Sequence, residues 1–242
     1  MDRPRPDALG APAVRNALAL SHEYVRRVVR SGDLVVDATA GNGHDTLFLA
    51  GLVGPQGLVL AFDVQEEAVR RTWERVSVAG MESRCRVFSE GHEHLAERVS
   101  EAGRETDVAA VMFNLGYLPG ADHALGTRAA TTLPALRQAM ACLRPGGIVT
   151  VGIYYGGDSG FDEKDAVLSF VEGIDVHGFA VQKTEMVNSR SCPPIFLCIE
   201  KLMPGKRKAR YVDEPASEDT VESDGPASEG TVEAVGPTSI SE

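Results

Sequence analysis

Val36-Asp37-Ala38-Thr39-Ala40-Gly41-Asn42-Gly43-His44-Asp45-Thr46 runs from the end of an aliphatic strand through a carboxylate and a glycine turn into the start of a helix. Leu34, Val35 and Val36 suit a buried strand, Gly41 and Gly43 let the backbone turn tightly and approach a ligand, and Asp45-Thr46 opens the apolar run Leu47-Phe48-Leu49-Ala50. About twenty residues past Gly43, where a doubly wound fold places the acid that holds a ribose, a second aliphatic strand, Leu58 to Phe62, ends in Asp63. The order strand, acid, glycines, helix, strand, acid says far more than a lone Gly-x-Gly.

The chemistry of the turn selects among nucleotide-like ligands. A dinucleotide fingerprint needs a third glycine at position 46, where this chain has Thr46. Asp37 and Asp45 would repel a pyrophosphate and attract a cation. S-adenosyl-L-methionine fits, since its sulfonium and ammonium are positive and its ribose hydroxyls need an acceptor.

Working outward, the pattern alternates. A leading helix is predicted from about Ala13 to Arg30, with Val14, Leu18, His22, Val25 and Val29 as its stripe. Strands are predicted at Leu34 to Asp37, Leu58 to Asp63, Arg86 to Ser89 and Asp107 to Phe113, with helices at His44 to Val53, Gln65 to Ala79 and His92 to Ala102 between them. A helix from Leu133 to Leu143 stops at the turn Pro145-Gly146-Gly147, which releases a fifth strand, Ile148 to Tyr155, before a last helix, Glu163 to Val171. The final strands, Gly178 to Met186 and Ile195 to Lys201, are joined by a connection too short for a crossover helix and pair antiparallel. The expected fold is α/β: a Rossmann-like, seven-stranded, mostly parallel sheet with a terminal antiparallel hairpin, the architecture of class I methyltransferases.

Composition bounds the rest. At 242 residues and 43% apolar content the chain suits one soluble α/β domain, expected over residues 1–203. From residue 204 a basic cluster, Lys206-Arg207-Lys208-Ala209-Arg210, leads into an acidic tail. Its Glu214-Pro215-Ala216-Ser217-Glu218 recurs as Gly225-Pro226-Ala227-Ser228-Glu229. A proline in each copy excludes a helical repeat, so residues 204–242 are expected to be a disordered acidic repeat tail. That tail holds four basic and nine acidic side chains of a chain with net charge −11, so the body is acidic on its own account. Cys85, Cys142, Cys192 and Cys198 show no metal-ligand spacing and read as thiols in a reducing compartment, with no metal expected. Neither a membrane-length apolar run nor a signal-peptide core is present, which points to a cytoplasmic protein without a membrane partner.

The fourth strand leads into Phe113-Asn114-Leu115-Gly116-Tyr117-Leu118-Pro119, at the sheet edge where open α/β folds place ligands. Asn114-Leu115-Gly116-Tyr117 looks like a variant of the N-P-P-Y motif of methyltransferases acting on amino groups. An amide oxygen on Asn114 can accept an amine's hydrogens and aim its lone pair, and Tyr117 can stack on the acceptor. Asp122 is a candidate to hold a substrate ammonium, and His92 and His123 could each accept a proton.

Taken together, Asp37 to Thr46, Phe62-Asp63-Val64-Gln65, Phe113 to Gly120 and Cys192-Pro193-Pro194 resemble, in order and spacing, the MnmM (YtqB-like) methyltransferases, long labelled rRNA methylases. The resemblance covers about Leu18 to Leu202. It implies methylation of the 5-aminomethyl nitrogen of 5-aminomethyl-2-thiouridine at the tRNA wobble position, with the anticodon loop of tRNA as partner and a homodimer as an open assembly. Carried over by position, Asn42, Asp45, Asp63, Gln65, Gly91 and His92 would contact S-adenosylmethionine, beside Asp37, Gly41, Gly43 and Thr46 of the turn. Asn114 and Tyr117 would face the amine, with Asp122 and His123 nearby. Gly157 stands where a histidine is expected, and Ser189 where glutamine usually follows Asn188. The alternatives are a small-molecule amine N-methyltransferase, a methyltransferase of another RNA such as rRNA, and an inactive cofactor-binding module. An acidic body argues against tracking a long phosphate backbone, but a small anticodon-loop footprint with a flipped base escapes that objection.

Overall fold

The computed structural model describes residues 14–116, 126–156, 160–189 and 191–204. The repeat tail therefore lies outside the described residues, as does Ala13, where the leading helix was expected to start. That helix, α1, spans Ala17–Val28 and begins where the Asn16 side chain accepts the Ala19 N–H at 2.8 Å. There follow β1 (Leu34–Asp37), α2 (His44–Val53), β2 (Leu58–Asp63), α3 (Glu66–Val78), β3 (Cys85–Ser89), a short 3₁₀ turn at His92–His94, and α4 (Leu95–Glu101). The second half is β4 (Val108–Leu115), α5 (Ala129–Cys142), β5 (Leu143–Ile153), α6 (Gly160–Glu172), β6 (Phe179–Thr184) and β7 (Ile195–Lys201).

The strands form one sheet in the order β3-β2-β1-β4-β5-β7-β6. All pairings are parallel except those of β7, which is antiparallel to both β5 and β6. Strand order reverses between β1 and β4, and a crevice opens at that switch point, outside the carboxyl ends of the strands. Helices cover both faces, so the central strands are largely buried, and β4 reads as an unbroken apolar run from Val108 to Phe113 for that reason. Alternate side chains enter opposite cores. Leu34, Val36, Phe62 and Phe113 pack towards α4, α5 and α6, while Val35, Val59 and Met112 meet residues of α1 and α2 such as Val25, Leu49 and Val53.

Three expectations are corrected. The buried stripe of α1 is Ala17, Ser21 and Val25, with the Ser21 hydroxyl donating to Thr150 of β5 at 2.6 Å. Val14 is 69% exposed and Leu18 38%, so the first half of the predicted stripe misses the core face, while Val25 and Val29 lie on it. Helix α5 starts a turn before Leu133, its Thr131 and Thr132 N–H groups bonding the Arg128 carbonyl, and it carries Pro134 in its second turn at the cost of one helical hydrogen bond. Strand β5 begins at Leu143, before the glycines. Pro145-Gly146-Gly147 is an irregularity inside the strand, where the register against β4 jumps from Val108↔Leu143 to Ala110↔Ile148. Backbone crowds Gly147: a Cβ there would stand 2.9 Å from the Val108 carbonyl oxygen.

Candidate active site

A cleft of about 940 Å³ lies over the carboxyl ends of β1, β2 and β4. One half is built by the turns after β1, β2 and β3. Asp63, the last residue of β2, accepts the Gly41 N–H on Oδ2 and the Gln65 N–H on Oδ1, each at 2.9 Å. Each carboxylate oxygen keeps a further lone pair, which suits a vicinal diol. The main chain of Asn42 is held by Arg75, whose Nε donates to its carbonyl at 2.7 Å, and Arg71 donates to its side-chain oxygen at 3.2 Å.

Beneath the turn, Asp37 is wholly enclosed. Its Oδ2 accepts the Thr46 hydroxyl at 2.6 Å and its Oδ1 the Thr39 N–H at 3.2 Å. Burial, and next the neighbouring Asp45, push its pKa up to about 7 against the pull of those hydrogen bonds. Near neutrality Asp37 is therefore only partly ionised, and the attraction for a cation falls to Asp45 and Asp63. Gly43 takes φ 76° as the N-cap of α2, and a Cβ on it would stand 2.7 Å from the Thr72 Cα, so its bareness serves packing of α3 against the turn.

His92 closes the floor of this half. Its Nδ1 donates to the Ala38 carbonyl at 3.2 Å, its ring meets Phe113 edge-on, and burial lowers its pKa. The imidazole is thus neutral, and its Nε2 is buried without a protein partner. A buried acceptor left open in the same half of the cleft as the Asp63 carboxylate is what a bound nucleoside would complete.

The other half centres on Asn114, near the end of β4. Its backbone N–H donates to the Thr39 hydroxyl at 2.8 Å, and its side-chain Nδ2 donates to Asp45 Oδ2 at 2.7 Å. Asp45 Oδ1 in turn meets His22 Nε2 at 2.6 Å, and the His22 ring stacks on Phe48 with centroids 3.8 Å apart and planes 12° from parallel. Leu18, His22 and Tyr154 wall this end. Burial, followed by Asp45, raises the pKa of the Tyr154 hydroxyl, keeping it neutral. Below them Gly116, just past β4, meets Thr127, which precedes α5. The Thr127 N–H bonds the Gly116 carbonyl at 2.9 Å and the Gly116 N–H bonds the Thr127 hydroxyl at 2.8 Å. That hydroxyl and the one on Thr132 donate to the two oxygens of Glu163, at 2.7 and 2.6 Å.

The cleft thus gathers Gly41, Asn42, Asp45, Asp63, Gln65, Gly91, His92 and Asn114 of the sequence-derived set. Asp37, Gly43 and Thr46 stand behind the lining and shape the turn. Tyr117, Asp122, His123 and Gly157 lie outside the described residues. Ser189 is exposed, its hydroxyl donating to the Ser191 carbonyl at 3.0 Å, and it does not line the cleft. Leu18, His22, Thr39 and Tyr154 are lining residues that sequence reasoning missed. The four-residue spacing of Leu18 and His22 was legible but was assigned to the core. Among the described residues no group of three or more His, Cys, Asp or Glu could hold a metal, and no helix is long and apolar enough to cross a membrane. Cys85, Cys142 and Cys198 are buried free thiols, and Cys192 is exposed.

This sheet order, with an acid closing β2 over a glycine turn, defines a class I methyltransferase that uses S-adenosylmethionine. The chain belongs to the family described as "Putative rRNA methylase", whose model matches residues 59–200. It is 34% identical over 195 residues, covering 77% of this chain and 70% of the relative, to the Arabidopsis thaliana protein named "tRNA (mnm(5)s(2)U34)-methyltransferase, chloroplastic". A solved structure titled "putative rRNA-methylase", from Clostridium thermocellum, is 46% identical with a TM-score of 0.75, covering 79% of this chain and 100% of that one. A "putative methyltransferase" of Streptococcus mutans, solved in complex with SAH, is 36% identical with a TM-score of 0.70, covering 78% and 99%.

Proposed function

We propose that this enzyme methylates the amino nitrogen of 5-aminomethyl-2-thiouridine at the wobble position of tRNA, giving 5-methylaminomethyl-2-thiouridine. The observation that carries the reading is the fixing of Asn114: its amide nitrogen is committed to Asp45, so the amide oxygen is the atom left for an incoming N–H. An amine acceptor uses that oxygen to point its lone pair at the methyl carbon. The name of the Arabidopsis relative supports the same acceptor.

S-adenosylmethionine supplies the methyl group. On our reading Asp63 accepts the ribose hydroxyls, His92 Nε2 accepts a further donor of the nucleoside, and Asn42, Gln65, Gly41 and Gly91 form the surrounding walls. Tyr117, Asp122 and His123 remain proposed acceptor-side residues. Leu18, His22 and Arg26 follow one another at four-residue spacing on α1, so the helix face that walls the cleft carries an exposed arginine over the Phe48 ring, 4.8 Å from its centroid. That placement suits a phosphate of the anticodon loop. A footprint of few phosphates is compatible with an acidic body. We take the reaction to occur in the cytoplasm.

The test is mass spectrometry of nucleosides from tRNA bearing 5-aminomethyl-2-thiouridine, incubated with enzyme and S-adenosylmethionine, with rRNA in parallel. One added methyl on the wobble nucleoside is expected. Methylation of rRNA with the wobble nucleoside untouched would overturn the proposal.

A further inference from the structure

Methylation of an amine is a proton problem. The attacking nitrogen must arrive with a free lone pair, and the nitrogen that has received a methyl carries a surplus proton. Asn114 can orient the amine but cannot take that proton, because an amide has no useful basicity. A group beside Asn114 with an open lone pair would supply the acceptor without recourse to bulk water.

His22 is placed for it. Asp45 Oδ1 holds Nε2 at 2.6 Å, while Asp45 Oδ2 is taken by Asn114 at 2.7 Å. The carboxylate therefore ties the amine-orienting amide and the imidazole into one hydrogen-bonded row. With its proton on Nε2 towards Asp45, the ring presents a bare lone pair on Nδ1, which bonds no described residue. Stacking on Phe48 fixes the ring plane. His22 is a lining residue of the cleft, and its side chain is 21% exposed against 9% for Asp45, so the imidazole is the more open of the two to water.

We propose that His22 is the proton acceptor for the substrate amine, aligned by Asp45. The proposal rests on the amine-acceptor reading above. His22 Nδ1 takes a proton from the ammonium form, freeing the lone pair. As the new N–C bond forms, the C–S bond breaks and its electron pair stays on sulfur. The methylated nitrogen then sheds its extra proton by the same route, the imidazole having first passed its proton to solvent. Asp45 counters the imidazolium charge, in the manner of a carboxylate behind a catalytic histidine. Among the described residues, the charged and titratable groups on this side of the cleft include Asp45 from α2, Arg26 one turn along α1, and Tyr154 after β5. Arg26 opposes the imidazolium and Asp45 favours it, and the neutral Tyr154 phenol adds no charge.

Two measurements test this. Nitrogen-resolved NMR of the histidine-labelled full chain, with the His22 signal assigned by its loss in His22→Gln, is expected to show the Nε2–H tautomer, and Asp45→Asn is expected to erase that preference. A proton on Nδ1 in the wild type would overturn the proposal whatever the acceptor proves to be. In single-turnover reactions on tRNA bearing the aminomethyl nucleoside, His22→Gln should slow transfer by about 100-fold or more at neutral pH. The deficit should shrink as pH climbs towards the pKa of a free alkylamine, about 10. The dissociation constant for S-adenosylmethionine should stay near the wild-type value. Wild-type rates with an unchanged pH profile would also overturn it. A wild-type enzyme that leaves this tRNA unmethylated refutes the acceptor reading, and the tautomer then decides the His22–Asp45 pair by itself.

Discussion

Thr46 donates its hydroxyl to Asp37 at 2.6 Å inside the protein, linking the end of β1 to the first turn of α2 beneath the glycine turn. The bond links two elements, but it holds the carboxyl group where burial and the neighbouring Asp45 both oppose its charge. Because burial raises its pKa to about 7, Asp37 binds its proton more tightly folded than unfolded. Its contribution to stability is fully present below the unfolded value, about 3.9, and declines as pH climbs through the folded value. Asp37→Asn keeps both hydrogen bonds, since the Thr46 hydroxyl can turn to accept, and does not ionise. Thermal melts should therefore show the variant gaining on the wild type from pH 4.5 to pH 8. A constant difference across that range would mean that Asp37 is already ionised in the fold.

Asp63→Ala removes both proposed ribose contacts and the acceptor of the Gly41 N–H. Binding of S-adenosylmethionine, measured by calorimetry, should weaken by about 1.5–3 kcal/mol, the scale of hydrogen bonds to a charged group. Unchanged affinity would place the ribose elsewhere in the cleft.

Asn114→Ala should lower kcat far more than it raises the cofactor dissociation constant, because alignment of the lone pair matters most in the transition state. Steady-state kinetics alongside calorimetry separates the two effects. Equal losses in both would make Asn114 a packing residue.

Glu163 acts on the acceptor side without lining the cleft. By accepting the Thr127 proton it turns that hydroxyl's lone pair towards the Gly116 N–H, and it also satisfies the fully buried Thr132. Glu163→Ala should cost about 1–3 kcal/mol for the buried Thr132 hydroxyl left open, and less for the partly exposed Thr127. At temperatures where the variant is folded, KM for tRNA should rise while cofactor affinity holds. A loss of cofactor affinity equal to the loss for tRNA would show that the two halves of the cleft are not separable here.

Residues 204–242 are proposed to be a disordered tail that contributes nothing to chemistry. A chain ending at Met203 should keep both its melting temperature and its turnover. Cooperative destabilisation on truncation would show that the tail packs on the body.

Sequence reading placed β1, β2 and α2 at their observed limits because two buried strands and a glycine turn leave little freedom. It went astray where one pattern serves two purposes. Leu18 and His22 recur at helical spacing like core residues, yet they wall a cleft, and periodicity reports a shared face without saying what that face meets. Gly43 carries the signature of ligand approach but is bare because Thr72 of a distant helix crowds it. The Pro145-Gly146-Gly147 turn looked like the end of a connection, whereas Leu143 before it already pairs with Val108. The row from Asn114 through Asp45 to His22 joins three elements, and no local window holds all of them.

The reciprocal bonds between Gly116 and Thr127 pin the residue that follows β4 to a residue just before α5, beside the cleft. When two points of a chain are pinned together, lengthening what joins them costs only logarithmically in chain entropy. The junction between β4 and α5 is thus closed by its own bonds, apart from the turns after β1, β2 and β3. Changes of length between residues 116 and 127 can therefore be tried on this scaffold with those turns left as they stand.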